Sequence, residues 1–128
     1  MSRDSVRLRA DAWAPSRARR YAASHCGQLP SDALHEVTLL ISELVTNAVV
    51  HGAGDSLVDI EVEGGVVTVG VSDQGQGSVR LAWRFSWPET GHGLTLVQAM
   101  SDRWGVEQIG GSTGKRVWFE LTWVADET

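Results

Sequence analysis

Apolar side chains recur at helical spacing after Pro30. Val37, Ile41, Leu44, Val45 and Ala48 fall on one stripe, the pattern of a helix lying on a core. Ser31 or Asp32 is placed to cap it, Gln28 and Pro30 break the chain before it, and His51-Gly52-Ala53-Gly54 ends it. The period then changes. Leu57-Val58-Asp59-Ile60-Glu61-Val62-Glu63 alternates apolar and acidic residues. Gly64-Gly65 is a two-residue hairpin signal, and Val66-Val67-Thr68-Val69-Gly70-Val71 returns as a second, more deeply buried strand. Downstream, residues 93 to about 102 read as a helix with Leu94, Val97 and Met100 or Ala99 inward. Residues 104–109 read as a strand, 110–114 as a turn and 116–124 as the last strand. Upstream, Pro15 suits the first turn of a helix over residues 16 to about 25, with Ala18, Tyr21 and Ala22 inward, Cys26 at its end and Gly27 as its stop. Alternation over residues 6–10 predicts a short edge strand before it.

Two helices, a hairpin, a helix and two further strands, grouped in blocks, predict an α+β fold: a two-layer α/β sandwich with an antiparallel sheet. The length of 128 residues suits one domain, spanning 1–128, with one core. The formal charge of −5 argues against a dedicated nucleic-acid binder, which would show a basic face. Arg17, Arg19 and Arg20 make one helix face basic, either as a solvated surface or as a patch for an acidic partner. The single cysteine, Cys26, cannot form an internal disulfide and reads as an inert residue at a helix end. No long apolar run is expected to span a bilayer, and Met1 to Arg7 lacks the apolar core of a signal peptide. The expected location is the cytoplasm.

Three segments carry candidate chemistry. In Glu43-Leu44-Val45-Thr46-Asn47 a carboxylate and a carboxamide stand one helical turn apart and face the same way. The amide oxygen of Asn47 is the hard ligand that Mg²⁺ takes beside phosphate oxygens and water. Glu43 is placed to act as a general base; the plainer reading is two solvated polar residues. Val71-Ser72-Asp73-Gln74-Gly75-Gln76-Gly77 ends an apolar strand on an acid followed by glycines. A carboxylate there suits the exocyclic amine of adenine and would repel the guanine carbonyl, and Gly75 and Gly77 let a flat base approach; an ordinary turn is the alternative. Gly91-His92-Gly93-Leu94 runs a glycine pair into a helix, where free N–H groups and the helix dipole favour phosphate. His92 either adds a donor or points to solvent. This is neither a Walker loop nor the dinucleotide fingerprint, since the lysine–hydroxyl pair and the strand before the glycines are missing. His25, His35, His51 and His92 lack metal-ligand spacing. Residues 78–90 form a long loop, a candidate lid holding Trp83, Phe85 and Trp87.

In this order the three segments resemble the GHKL ATP-binding fold of histidine kinases, gyrase-type ATPases and anti-sigma-factor serine kinases, over about residues 34–121. Residues 41–49 and the run Lys115-Arg116-Val117-Trp118-Phe119-Glu120-Leu121 are similar to the short actinobacterial members of the serine-kinase branch. The resemblance implies a mixed, mostly antiparallel sheet of four or five strands covered on one face by three helices, with ATP between helices and lid. It implies Glu43 as general base and Asn47 as Mg²⁺ ligand. It places Asp73, Gly75 and Gly77 in the adenine box and Gly91, Gly93 and Leu94 in the second glycine box, beside His92. It implies a serine/threonine kinase that binds a sigma factor, phosphorylates an anti-anti-sigma protein, and often forms a homodimer. Two departures stand out. Arg116 occupies the position expected for a threonine or serine that helps hold the adenine aspartate, with Thr113 as a substitute. Glu89 stands where some relatives place a basic residue, leaving Arg84 or His92 to meet the terminal phosphate. The departures leave room for a non-catalytic ATP-gated protein-binding module. A third reading, the catalytic domain of a split histidine kinase, is disfavoured because no phosphoacceptor helix is visible before the domain.

Overall fold

A computed structural model describes residues 2–51, 54–73, 92–108 and 114–123. The elements run β1 (Ser2–Leu8), α1 (Ala14–His25), α2 (Ser31–His51), β2 (Ser56–Glu63), β3 (Val66–Asp73), α3 (His92–Met100), β4 (Arg103–Gln108) and β5 (Lys115–Thr122). The strands form one five-stranded sheet in the order β1-β2-β3-β5-β4. Every described pairing is antiparallel, which narrows the expected mixed, mostly antiparallel sheet. The three described helices complete the α+β two-layer arrangement.

Strand alternation decides which side chains meet the helices. Val58, Val71 and Val117 stand opposite one another, as do Ile60, Val69 and Phe119, and then Val62, Val67 and Leu121. All nine are buried in one cluster with Val37, Leu40, Ile41, Leu44, Val45 and Ala48 of α2 and Ala18 and Ala22 of α1. The stripe read from α2 is therefore its core face. By length and mean hydropathy (1.3 over Ser31–Val50) α2 also matches a membrane span, contrary to the expectation that no run does; its apolar residues are instead spent on this core. Pro30 occupies the position before α2 and its carbonyl accepts from the Leu34 N–H at 2.9 Å. Ser31 and Asp32 thus lie inside the first turn rather than at the cap, where the Asp32 carboxylate meets the positive end of the helix dipole.

The Gly64-Gly65 turn has the predicted chemistry. Both residues have positive φ (54° and 82°), as a two-residue turn of type I′ demands. At the sheet edge, β1 is longer and earlier than the expected strand over residues 6–10. Asp4, on its inward row, accepts from the Tyr21 hydroxyl at 3.1 Å and lies 3.1 Å from His25 Nε2, so α1 holds the polar edge strand through side chains. The basic face of α1 is partly engaged within the chain: Arg17 pairs with Asp11 at 3.1 Å and Arg19 donates to Ser42 Oγ at 2.9 Å.

Cys26 is fully buried, and burial pushes its thiol up to about 11. A raised thiol contributes stability that is intact below its unfolded value and is lost as pH rises through about 11. At pH 7 the thiolate fraction falls roughly 100-fold below that of an exposed thiol. Native protein is therefore expected to react with a maleimide at least that much more slowly than protein in denaturant. Equal rates would show that the helix end is open.

Candidate functional site

Glu43 and Asn47 lie one turn apart on α2, as their spacing requires. Their surroundings differ. Glu43 is half-buried, whereas Asn47 is 7 % exposed beside the core residues Leu44 and Ala48. Its amide Nδ2 is buried with no hydrogen-bond partner. A buried carboxamide end without a partner is costly unless something else binds there. The end that faces the gap is a matter of rotating the amide, so Asn47 can present its oxygen to a cation.

Asp73 closes β3 and is 2 % exposed. Its Oδ1 is buried without a hydrogen bond, while the residue keeps other interactions. β3 packs against α2, and α2 also packs against α3. The helix carrying Glu43 and Asn47 therefore touches both elements that carry the other two motifs. α3 begins at His92, one residue earlier than expected, so His92, Gly93 and Leu94 form its first turn. The backbone N–H groups of that turn have no partners within the helix and attract an anion. Gly75, Gly77, Gly91 and Thr113 lie outside the described residues, as do Trp83, Arg84, Phe85, Trp87 and Glu89. Among the described residues no group of three or more His, Cys, Asp or Glu side chains is arranged to hold a metal. A one-amide site for Mg²⁺ that shares its other positions with phosphates and water does not need such a group.

The register places Arg116 away from Asp73. Asp73 stands opposite Lys115 on β5 and opposite Ser56 on β2, and Arg116 stands opposite Ser72. Val117, Phe119 and Leu121 point into the core, so Lys115 shares their face and Arg116 must point away. Its guanidinium donates to both oxygens of Asp59 (3.1 and 2.7 Å) and to Glu107 (3.1 Å), over the backbone of Gly70. A Cβ at Gly70 would meet the Arg116 guanidinium where these pairs hold it, so the glycine leaves room for the network. Arg116 therefore cannot take the place of a threonine holding Asp73. Lys115 was missed because a lysine beside glycine in a turn-rich stretch reads as surface. The parity of Val117, Phe119 and Leu121 is the signal that places it inward.

The Arg116→Thr variant should lose roughly 1–3 kcal/mol of stability, since it leaves Asp59 and Glu107 facing each other without a cation. Nucleotide affinity should stay within about twofold of wild type. Denaturant midpoints and a nucleotide titration check both; a large affinity loss would return Arg116 to the site.

A broad concavity of about 810 Å³ lies on the helix-free face, lined by Arg3, Ser5, Asp59, Glu61, Glu107 and Arg116 among others. It contains none of Glu43, Asn47 and Asp73. Its lining is the ionic network of the outer sheet face, so we locate the functional site by the buried polar groups of α2 and β3 instead.

Comparison with known proteins identifies the family and the fold. Residues 8–121 match the family model described as a histidine kinase-like ATPase domain. No curated protein sequence matches. A crystal structure of the RsbU and RsbW domains of a Mycobacterium tuberculosis protein has a similar fold, with a TM-score of 0.72 and 22% sequence identity, over 95% of this chain and 32% of that one. The chain thus spans about a third of the length of that structure.

Proposed function

Because this chain belongs to the histidine kinase-like ATPase domain family, we propose that it binds ATP with Mg²⁺ and phosphorylates a serine or threonine of an anti-anti-sigma partner, while itself restraining a sigma factor. The observation that carries the reading is the buried polar ends of Asn47 and Asp73 that lack hydrogen bonds, on elements α2 and β3 that pack together. The resemblance of residues 41–49 and 115–121 to short anti-sigma serine kinases supports the partner class.

In this reading Asp73 accepts a hydrogen bond from the adenine 6-amino group. The first turn of α3 offers backbone N–H groups to the phosphates. Asn47 would hold the metal through its amide oxygen, and Mg²⁺ bound there would draw charge from the phosphate oxygens. Glu43 takes the proton of the partner's hydroxyl as its oxygen bonds to the γ-phosphorus. The bond from that phosphorus to the bridging oxygen breaks, and ADP leaves with the electron pair. The protein acts in the cytosol, as a monomer or homodimer.

Incubation with γ-labelled ATP and an anti-anti-sigma protein tests the reading. Label should appear on a serine or threonine of the partner. Glu89 keeps a second reading in play, because an acid in that place repels the terminal phosphate. If no label moves while ATP still changes partner affinity, the chain is a nucleotide-gated binding module.

A further inference from the structure

We propose that Ser56 is a second base-reading residue of the nucleotide site: its hydroxyl donates to the purine ring nitrogen N1 while the neighbouring Asp73 accepts from the 6-amino group. The inference rests on the nucleotide reading above and adds a contact to it. Ser56 opens β2 and Asp73 closes β3, and the two are direct partners in the β2–β3 register. They therefore stand at the same end of the sheet. Ser56 shares the inward row of Val58, Ile60 and Val62, as Asp73 shares that of Val67, Val69 and Val71. Both strands thus exchange an apolar inward residue for a polar one at the same step. Ser56 is 3 % exposed and Asp73 2 %. α2, which carries Glu43 and Asn47, packs on both strands.

Burying a polar group is costly unless it is hydrogen-bonded. No described residue bonds the Ser56 hydroxyl, and beside it Asp73 Oδ1 is buried without a hydrogen bond, although Asp73 keeps other interactions. Opposed residues on one face of an antiparallel pair have Cβ atoms roughly 4.5–5.5 Å apart, so one flat ring edge can meet both side chains. A hydroxyl donates and a carboxylate accepts. Adenine presents the matching pair on adjacent positions: an amine hydrogen to give, and an unprotonated N1 to accept. The rest of the row offers no equal. Leu8 is apolar, and Lys115 and Gln108 have interactions of their own. A hydroxyl also accepts, so Ser56 adds affinity for the base edge, while the choice between amine and carbonyl stays with Asp73.

Calorimetric titration of ATP and of 1-deaza-ATP, in which a C–H replaces N1, into wild type, Ser56→Ala and Ser56→Thr with Mg²⁺ tests this. Wild type should bind ATP about 3- to 10-fold more tightly than the deaza analogue, the worth of one neutral hydrogen bond. The Ala variant should lose ATP affinity by the same factor and bind the two nucleotides equally. The Thr variant keeps the hydroxyl and should keep the preference. A change of packing alone would weaken both nucleotides together and leave the ratio intact. Should the Ala variant fail to fold, Ser56→Cys, of similar size and only a weak donor, carries the same expectation. A folded Ala variant with the wild-type ratio, or a wild type that binds ATP and the analogue equally, overturns the inference alone. A wild type that binds neither nucleotide overturns the nucleotide reading and this inference with it.

Discussion

Replacing Glu43 with glutamine should abolish phosphoryl transfer while leaving ATP binding intact. The amide keeps the length of the side chain and its helix propensity, so α2 and its core face are undisturbed. It cannot take a proton from the partner's hydroxyl. General-base catalysis contributes roughly 10²–10⁴-fold, and the transfer rate should fall by that factor. The dissociation constant for ATP should change less than about threefold, because in the proposed mechanism Glu43 serves the attacking oxygen rather than the nucleotide. Single-turnover transfer and a parallel titration measure the two quantities. A variant that transfers phosphate at the wild-type rate would remove Glu43 from the mechanism. One that loses ATP affinity in step with transfer would make it a binding group.

The second large effect belongs to Asp73. In the Asp73→Asn variant the group proposed to meet the adenine amine loses its charge. A hydrogen bond to a charged partner is worth roughly 1.5–3 kcal/mol, which corresponds to a fall in ATP affinity of about 10- to 100-fold. The fold should survive, since asparagine keeps the size and polarity of the side chain at the end of β3. Circular dichroism confirms the fold and titration reads the affinity. Unchanged affinity in a folded variant would place the base elsewhere.

Much of this was legible in the sequence because burial imposes a period. α2 declared itself through Val37, Ile41, Leu44, Val45 and Ala48, and its polar pair followed from the same spacing. The Gly64-Gly65 hairpin followed from the backbone conformation that glycine permits. The edge strand β1 was harder. Its inward row includes Asp4, whose place depends on Tyr21 and His25 of α1, a tertiary contact with no local signature. α2 begins at Ser31, directly after Pro30, whose carbonyl accepts the first intrahelical bond, so neither Ser31 nor Asp32 sits at the cap position expected of it. The residue opposite Asp73, Lys115, was not singled out because the motif was compared without its register. A shift of one residue along a strand moves a side chain to the opposite face of the sheet. Here it separates a buried lysine at the site from an arginine engaged with Asp59 and Glu107.

In the proposed function α2, the end of β3 and the mouth of α3 together bind one purine nucleotide. Isothermal titration of ATP and GTP, with Mg²⁺ and again with the metal chelated, tests it most directly. ATP should bind saturably with one site per chain, GTP at least about tenfold more weakly, and chelation should weaken ATP. Equal affinity for the two nucleotides would contradict the role of Asp73, and no saturable binding of ATP would contradict the site itself.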